Sequence, residues 1–382
     1  MAVVMVTRGR FASSFPPVIG RVTEDPNESD PANTVLLCRH GHPPGGDLSA
    51  FAAVMTEGEE VNAPRTGSYG SLAHLAPGDV VVIDGRSGRT RTLYRKASPH
   101  NALFVTEQCN SNCIMCSQPP KPDRGELLPV CLRTVDLLAT DPPERLGVTG
   151  GEPTLLDDGF LLLIDALRSR LPDTVVTVLT NGRRFSDAAF AQAVARIGHP
   201  HLRFSVPLHS DIAAIHDHIA QATGAFSQTV AGLYNMAASG LEVEARVVLH
   251  ALSAPRLGPL AEFIYRKLTF LQAIAFMGLE NTGHARRNWN HLWVDPVDYA
   301  EGLKNAVEYL FRRGMNPLIY NLPLCVLPPS VWAFACQSIS DYKQILVDEC
   351  ADCGATSHCA GFFASGRKRR SRGIHSIAIT PA

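Results

Sequence analysis

Between residues 101 and 320 the chain alternates short β-branched runs with longer helix-like stretches. This alternation limits the fold more than any other feature of the 382 residues. The runs are Leu103 to Thr106, Leu146 to Thr149, Thr174 to Leu179, Leu202 to Val206, Val243 to Leu249 and Ala273 to Met277. Helices are predicted over residues 160–167, 226–238 and 296–313, the last two stopped by Gly240 and by Gly314 with Asn316-Pro317. Repeated β–α units imply a parallel sheet. Six units are too few for a closed eight-stranded barrel, so the predicted class is α/β, a partial (β/α)6 TIM-like barrel. Functional residues in such barrels lie on the loops after the strands.

The flanks differ. Residues 1–100 are rich in Gly, Pro and short β-branched runs, and Val80 to Ile83, Asp84-Gly85 and Arg91 to Tyr94 read as a hairpin. We expect a small β-rich domain at 1–100, the barrel at 101–320, and a cysteine-rich extension with a basic tail at 321–382. Arg39-His40-Gly41-His42 reads as a polar loop, since no further metal ligand lies nearby in sequence. The tail Arg367-Lys368-Arg369-Arg370-Ser371-Arg372 reads as a solvated, disordered run, the rival role being to steer an acidic peptide.

The first candidate site follows the first strand. Cys109, Cys113 and Cys116 stand at spacing C-x3-C-x2-C. Three thiolates within eight residues are a soft-metal donor set. Iron–sulfur clusters take thiolate ligands, usually four. Three would leave one iron of a cubane with an open position, as a catalytic metal requires. The triplet alone also permits zinc or coincidence. Five more cysteines gather near the C-terminus: Cys325, Cys336, Cys350, Cys353 and Cys359. Four of these suffice for a second cluster or a zinc site, and the spacing does not say which is spare. Cys38 and Cys131 read as small hydrophobes.

Gly150, Gly151 and Glu152 follow the second strand. Paired glycines let backbone approach a neighbour closely, and a glutamate accepts a strong hydrogen bond from an ammonium group. A tight turn explains the same residues. Ser205 ends the fourth strand and Arg246 lies within the fifth. A guanidinium suits a carboxylate, and the plain alternative is an ion pair with Glu242 or Glu244. Met277-Gly278 closes the sixth strand, where backbone can lie against a flat ring or simply turn. His209, Asp211 and His216-Asp217-His218 follow the fourth strand and read first as capping and surface residues.

The net charge of −1 gives no electrostatic case for nucleic acid or an anionic membrane. No apolar run approaches the roughly 18 residues of a membrane helix. At the N-terminus the basic residues come after the apolar run, the reverse of a secretory signal. We therefore expect a cytoplasmic protein, whose clustered cysteines serve metal rather than disulfides.

The triplet spacing and the Gly-Gly-Glu resemble the radical S-adenosylmethionine (SAM) superfamily. That resemblance implies a 4Fe–4S cluster on Cys109, Cys113 and Cys116, with SAM chelating the fourth iron. It further implies that Gly150, Gly151 and Glu152 bind the SAM amino group and that Ser205 and Arg246 serve its carboxylate and ribose; the flat ring for the backbone at Met277-Gly278 would then be adenine, a simple turn remaining the alternative. Reduction then cleaves SAM to a 5′-deoxyadenosyl radical. Three stretches narrow the likeness: Cys-Asn-Ser-Asn-Cys-Ile-Met-Cys-Ser-Gln-Pro-Pro, Gly-Val-Thr-Gly-Gly-Glu-Pro-Thr, and Ser-Ile-Ser-Asp-Tyr-Lys before the last cysteines. Over residues 90–365 they resemble the C-type radical SAM maturases of the His-Xaa-Ser system. That family implies an oxidoreductase modifying a peptide or small protein, as in ribosomally made, modified peptides. It implies an external electron donor, a partner maturase and an auxiliary 4Fe–4S cluster in the extension. Two other classes stay open: radical SAM chemistry on a small molecule or RNA, and a non-catalytic iron–sulfur or zinc protein.

Overall fold

The computed structural model describes residues 6–39, 48–58, 63–123 and 125–378. His40 to His42 of the polar loop, and Met1 to Met5 of the apolar N-terminus, lie outside these. The chain divides into two compact units. The first holds residues 1–105, 124–148 and 162–175; the second holds 106–123, 149–161 and 176–382.

The first unit opens with a mixed eight-stranded sheet: β1 (Val6–Arg8), β2 (Arg10–Phe11), β3 (Val18–Thr23), β4 (Thr34–Cys38), β5 (Ala53–Glu57), β6 (Thr66–Tyr69), β7 (Val80–Asp84) and β8 (Arg89–Tyr94). The expected hairpin is β7–β8, antiparallel from Val80 opposite Tyr94 to Asp84 opposite Arg89. Its turn is built by Asp84, which accepts bonds from Arg86 N and Ser87 Oγ. Gly88, at φ +69°, lets Gly9 cross it: a Cβ there would stand 2.4 Å from Gly9 O. Val22, Val35, Met55, Tyr69, Val81 and Ile83 fill the core beneath this sheet. Further along come β9 (Ala102–Phe104), α1 (Leu127–Leu138), β10 (Arg145–Thr149) and α2 (Asp158–Arg170). Cys131 is buried on α1 and donates to Phe104 O, so it packs as a small core residue. Cys38 is half-buried at the end of β4.

Then follow β11 (Val175–Leu179), α3 (Ala188–Ile197), β12 (Leu202–Pro207), α4 (Ala213–Ala220), α5 (Ala225–Ala238), β13 (Glu242–Leu249), α6 (Leu257–Lys267), β14 (Ala273–Gly278), α7 (Gly283–Arg287), α8 (Trp289–Leu292), α9 (Pro296–Phe311), β15 (Pro317–Tyr320) and β16 (Ala335–Cys336). The helix ends follow their residues. Asp187 caps α3 through Ala189 N, and Gly198 ends it at φ +71°. Asp295 caps α9 through Val297 N with Pro296 next, and Gly314 at φ +77° lies just beyond its end.

All six expected strands form, and β15 and β16 extend them, so the second sheet has eight strands rather than six. Pairings from β11 through β16 are parallel. The two extra strands are only four and two residues long, too short to show as β-branched runs. Alternation sorts the side chains. Val243, Ala245, Val247 and Leu249 of β13 are buried, while Glu244, Arg246 and Val248 occupy the other face. The register joins Ser205 to Glu244, then Arg246 to Ala275 and Leu318, then Val248 to Met277, Tyr320 and Cys336. A last short hairpin, β17 (Gln344–Ile345) with β18 (Phe362–Phe363), frames the C-terminal cysteines.

The basic tail is exposed over residues 367–370 but is docked at its end. Arg370 pairs with Glu349 at 2.9 Å, Arg372 reaches Asp298, Ser371 and Arg372 both bond Asp295, and Arg369 lies over Trp289. Acidic partners 20 to 80 residues upstream take up the charge of Arg370 and Arg372, which a local reading of the tail cannot show. No helix among the described residues is long and apolar enough to cross a membrane.

Candidate functional site

The loop from Thr106 to Asp123 carries the cysteine triplet. Asp123 closes its base, accepting from Thr106 Oγ1 at 2.7 Å and Glu107 N at 3.0 Å. Asn112 N and Ile114 N donate to the carbonyls of Ala220 and Ile219 at the end of α4, both at 3.0 Å. From the far side α7 and α8 brace it. His284 N donates to Cys116 O at 2.8 Å, and Asn288 Nδ2 to Ile114 O at 2.8 Å. Gly283, at φ +52°, leaves no room for a Cβ, which would meet Cys116 O and Ser117 O at 2.5 Å.

Gly150 and Gly151 press against the same loop. A Cβ on Gly150 would stand 2.5 Å from Thr106 O, and on Gly151 2.0 Å from Gln108 O. Gly151 N and Glu152 N donate to those two carbonyls at 2.7 Å. The close neighbour of the paired glycines is thus the cysteine loop itself.

Glu152 is 1% exposed. Its carboxylate accepts from Thr154 N and Oγ1, Thr180 Oγ1 and Asn181 N, at 2.6–3.1 Å. Burial pushes its pKa up, and those four donors oppose the shift. Asn181 in turn donates to Asn110 Oδ1 at 2.6 Å, and Arg183 to Ser111 Oγ at 3.0 Å. Glu152 therefore ties the end of β11 to the cysteine loop. Thr180, Asn181, Arg183, His284 and Asn288 were not singled out from sequence. Thr180-Asn181-Gly182 reads there only as a strand stop, and nothing local marks His284 or Asn288.

Ser205, Glu244 and Arg246 form one network on the open face of the sheet. Ser205 Oγ donates to Glu244 Oε1 at 2.6 Å, and Arg246 Nε donates to the same oxygen at 2.6 Å. The ion-pair alternative for Arg246 is thus realised with Glu244, while Glu242 pairs with Arg203. Only Nε is used in that pair. Arg246 lies 5.8 Å from the Tyr320 ring, and its side chain is about one-fifth exposed. Met277 shares this face; Gly278 packs against Asn321, whose O would stand 2.6 Å from a Cβ.

Burial pushes the Cys109 thiol up to about 11 and Cys113 up to about 12, each further raised by the neighbouring cysteines; Cys116 is raised as well. Thiols so placed stay protonated until a cation displaces the protons. Ser111 N donates to Cys109 Sγ at 3.4 Å. Among the described residues, no group of three His, Cys, Asp or Glu side chains is placed to hold a single metal ion. A cubane asks for less convergence, since each thiolate takes a separate iron. The donor type and the single short loop fit that group.

At the C-terminus, Cys325, Cys350, Cys353 and Cys359 come together and Cys336 does not. Burial raises the Cys325 thiol, and Cys359 and Cys350 raise it further. Cys325, Cys353 and Cys359 pack round Leu324, Ala355 and Ile377. Backbone N–H groups point at the sulfurs: Ile377 to Cys353 at 3.3 Å, Leu324 and Gly361 to Cys359 at 3.4 Å. Cys336 instead sits opposite Tyr320 on β16, raised by burial and by Glu244. Lys343, in the stretch before these cysteines, pairs with Glu280 at 3.1 Å.

Residues 103–252 match the Radical SAM superfamily. That segment is similar to a radical SAM domain. Comparison with curated proteins gives no match. Among solved structures, Streptococcus suis SuiB bound to S-adenosylmethionine is 14% identical at TM-score 0.48, over 59% of this chain and 52% of its own. Another SuiB structure holds its precursor peptide SuiA. A radical SAM methyltransferase from Sphaerobacter thermophilus is 16% identical at TM-score 0.46, over 64% of this chain and 73% of its own. The chain thus spans about half the length of the SuiB chain it matches.

Proposed function

We propose that this is a radical SAM enzyme acting on a peptide or small protein. The observation that carries the reading is the cysteine loop, which Glu152, Asn181, His284 and Asn288 hold from several sides. Cys109, Cys113 and Cys116 hold a 4Fe–4S cluster, and SAM binds beside it. When bound, the pair supplies a 5′-deoxyadenosyl radical, which takes a hydrogen atom from an unactivated C–H bond.

The chain's own residues bind and orient. Glu152 positions Asn181 and the loop rather than offering a free carboxylate to the SAM ammonium, so Gly150 and Gly151 bring backbone to that group. Glu244 aims Arg246 and Ser205, leaving two guanidinium nitrogens for a carboxylate. Met277, one residue-row beyond Arg246, lies toward the adenine. Cys325, Cys350, Cys353 and Cys359 hold an auxiliary 4Fe–4S cluster, and Cys336 is the spare cysteine. N–H···S bonds like those at Cys353 and Cys359 suit thiolate ligands. An external one-electron donor and a partner maturase complete the system, as the sequence resemblance implies.

Anaerobic reconstitution with dithionite and SAM tests the reading, with 5′-deoxyadenosine as the readout. We expect about eight irons per chain, from the usual four-cysteine ligation. Cys113→Ala should abolish SAM cleavage; unchanged 5′-deoxyadenosine would refute the radical site. Replacing Cys350 and Cys353 together should remove about half the iron and spare SAM cleavage. Four irons plus one zinc would assign the C-terminal group to structural zinc instead.

A further inference from the structure

Beyond the C-terminal ends of β13–β15 lies a cavity of about 630 Å³, its solvent mouth included. Leu249 and Gly278, the last residues of β13 and β14, line it with Leu279 and Leu322. Its walls are apolar. Trp289 and Trp293 stack there with centroids 4.4 Å apart, and Tyr299 and Phe362 join them. Two asparagines interrupt them: Asn321, whose Oδ1 accepts from Ser338 Oγ, and Asn281. Asn281 is 8% exposed, and its Oδ1 has no hydrogen-bond partner, while its Nδ2 makes only a 3.5 Å contact with Ser365 O.

The mouth is basic. Arg369 lies over the Trp289 ring at 5.5 Å. Arg370 and Arg372 are held by Glu349 and Asp298. Among the described residues, Arg367, Lys368 and Arg369 have no carboxylate partner. Of these, Arg369 stands at the rim of the aromatic cavity, which has an unpaired acceptor inside.

We infer that this cavity is an anchor pocket for the substrate peptide, taking an aromatic side chain that carries a hydrogen-bond donor, within an acidic segment. The stacked tryptophans favour a flat ring. A buried acceptor without a partner favours a ligand that donates to it over one that does not. Arg369 at the rim, with no carboxylate partner among the described residues, complements a carboxylate next to the anchor. The inference rests on the peptide reading above, yet its test needs neither cluster nor SAM. If 5′-deoxyadenosine forms and no peptide binds, this pocket assignment fails alone.

The test is calorimetric titration of the full chain with three acetylated, amidated peptides: Tyr-Asp-Asp, Phe-Asp-Asp and Tyr-Asn-Asn. Tyr-Asp-Asp should bind about tenfold tighter than Phe-Asp-Asp, the size of one hydrogen bond to a buried acceptor. Asn281→Leu should erase that ratio. Tyr-Asp-Asp should exceed Tyr-Asn-Asn by about threefold, as exposed charge pairs allow, and Arg369→Gln should shrink this ratio. Arg369 is exposed, so that variant keeps the test open if Asn281→Leu does not fold. No saturable binding of any peptide, or ratios unchanged by both substitutions, would overturn the assignment.

Discussion

Gly151 has no room for a side chain, because Gln108 O would lie 2.0 Å from its Cβ. Gly151→Ala should therefore push the cysteine loop out of place. We expect most of the iron to be lost on anaerobic reconstitution, with the rest of the chain still folded by circular dichroism. Gly302 provides the contrast, since a Cβ there meets nothing within 4 Å and its backbone is helical. Gly302→Ala should stabilise α9 by about 0.5–1 kcal/mol in urea unfolding. Glu152→Gln places one acceptor where four donors converge. It should cost about 1–3 kcal/mol of stability and weaken SAM binding together; a loss of SAM affinity with stability untouched would mean that Glu152 meets the ligand directly. The cysteine spacing and the Gly-Gly-Glu were legible because their spacing is local. The partners of Glu152 were not, since Thr180 and Asn181 lie 28 and 29 residues downstream.

At the scale of elements, Asp295 does two things. It caps α9 through Val297 N, and it holds Ser371 and the Arg372 backbone. Asp295→Ala should cost about 1–2 kcal/mol for the lost cap and release residues 366–372. Limited trypsin digestion checks this, with cleavage after Arg369 or Arg370 appearing earlier than in the parent chain. Strands were legible where β-branched residues run together ahead of a turn signal, as in β7 and β11. Helices α1, α3, α4 and α6 were not read. Their apolar faces are interrupted by Arg, Asp or His, and α1 carries Pro129 in its first turn. The docked tail was misread because charge runs are judged by their neighbours in sequence, while its partners come from α9 and the 348–350 turn.

Across the whole molecule, three buried histidines link stability to pH. Burial holds His216 and His250 down at about 4 and His209 well below its usual value, and His209 is further lowered by the other two. Folding therefore disfavours their protonated form. Their contribution is fully present above the unfolded value near 6.5, and is lost as pH falls from there toward 4. Each should cost about 1.4 kcal/mol per pH unit within that window. Urea unfolding at pH 7.5, 6.0 and 5.0 checks it; a flat profile would mean that the rings reach water. His209 and His216 read as capping and surface groups from sequence, and the fold closes over all three only when α4 and the loops after β12 and β13 come together. The bracing of the cysteine loop has a similar reach. His284 contacts Cys113 across 171 positions of chain. During synthesis at about 5–20 residues per second, the thiols would leave the ribosome on the order of ten to thirty seconds before their supports. Metal loading thus belongs after translation of α8, and a nascent chain stopped earlier presents three reactive thiols with nothing to hold them in register.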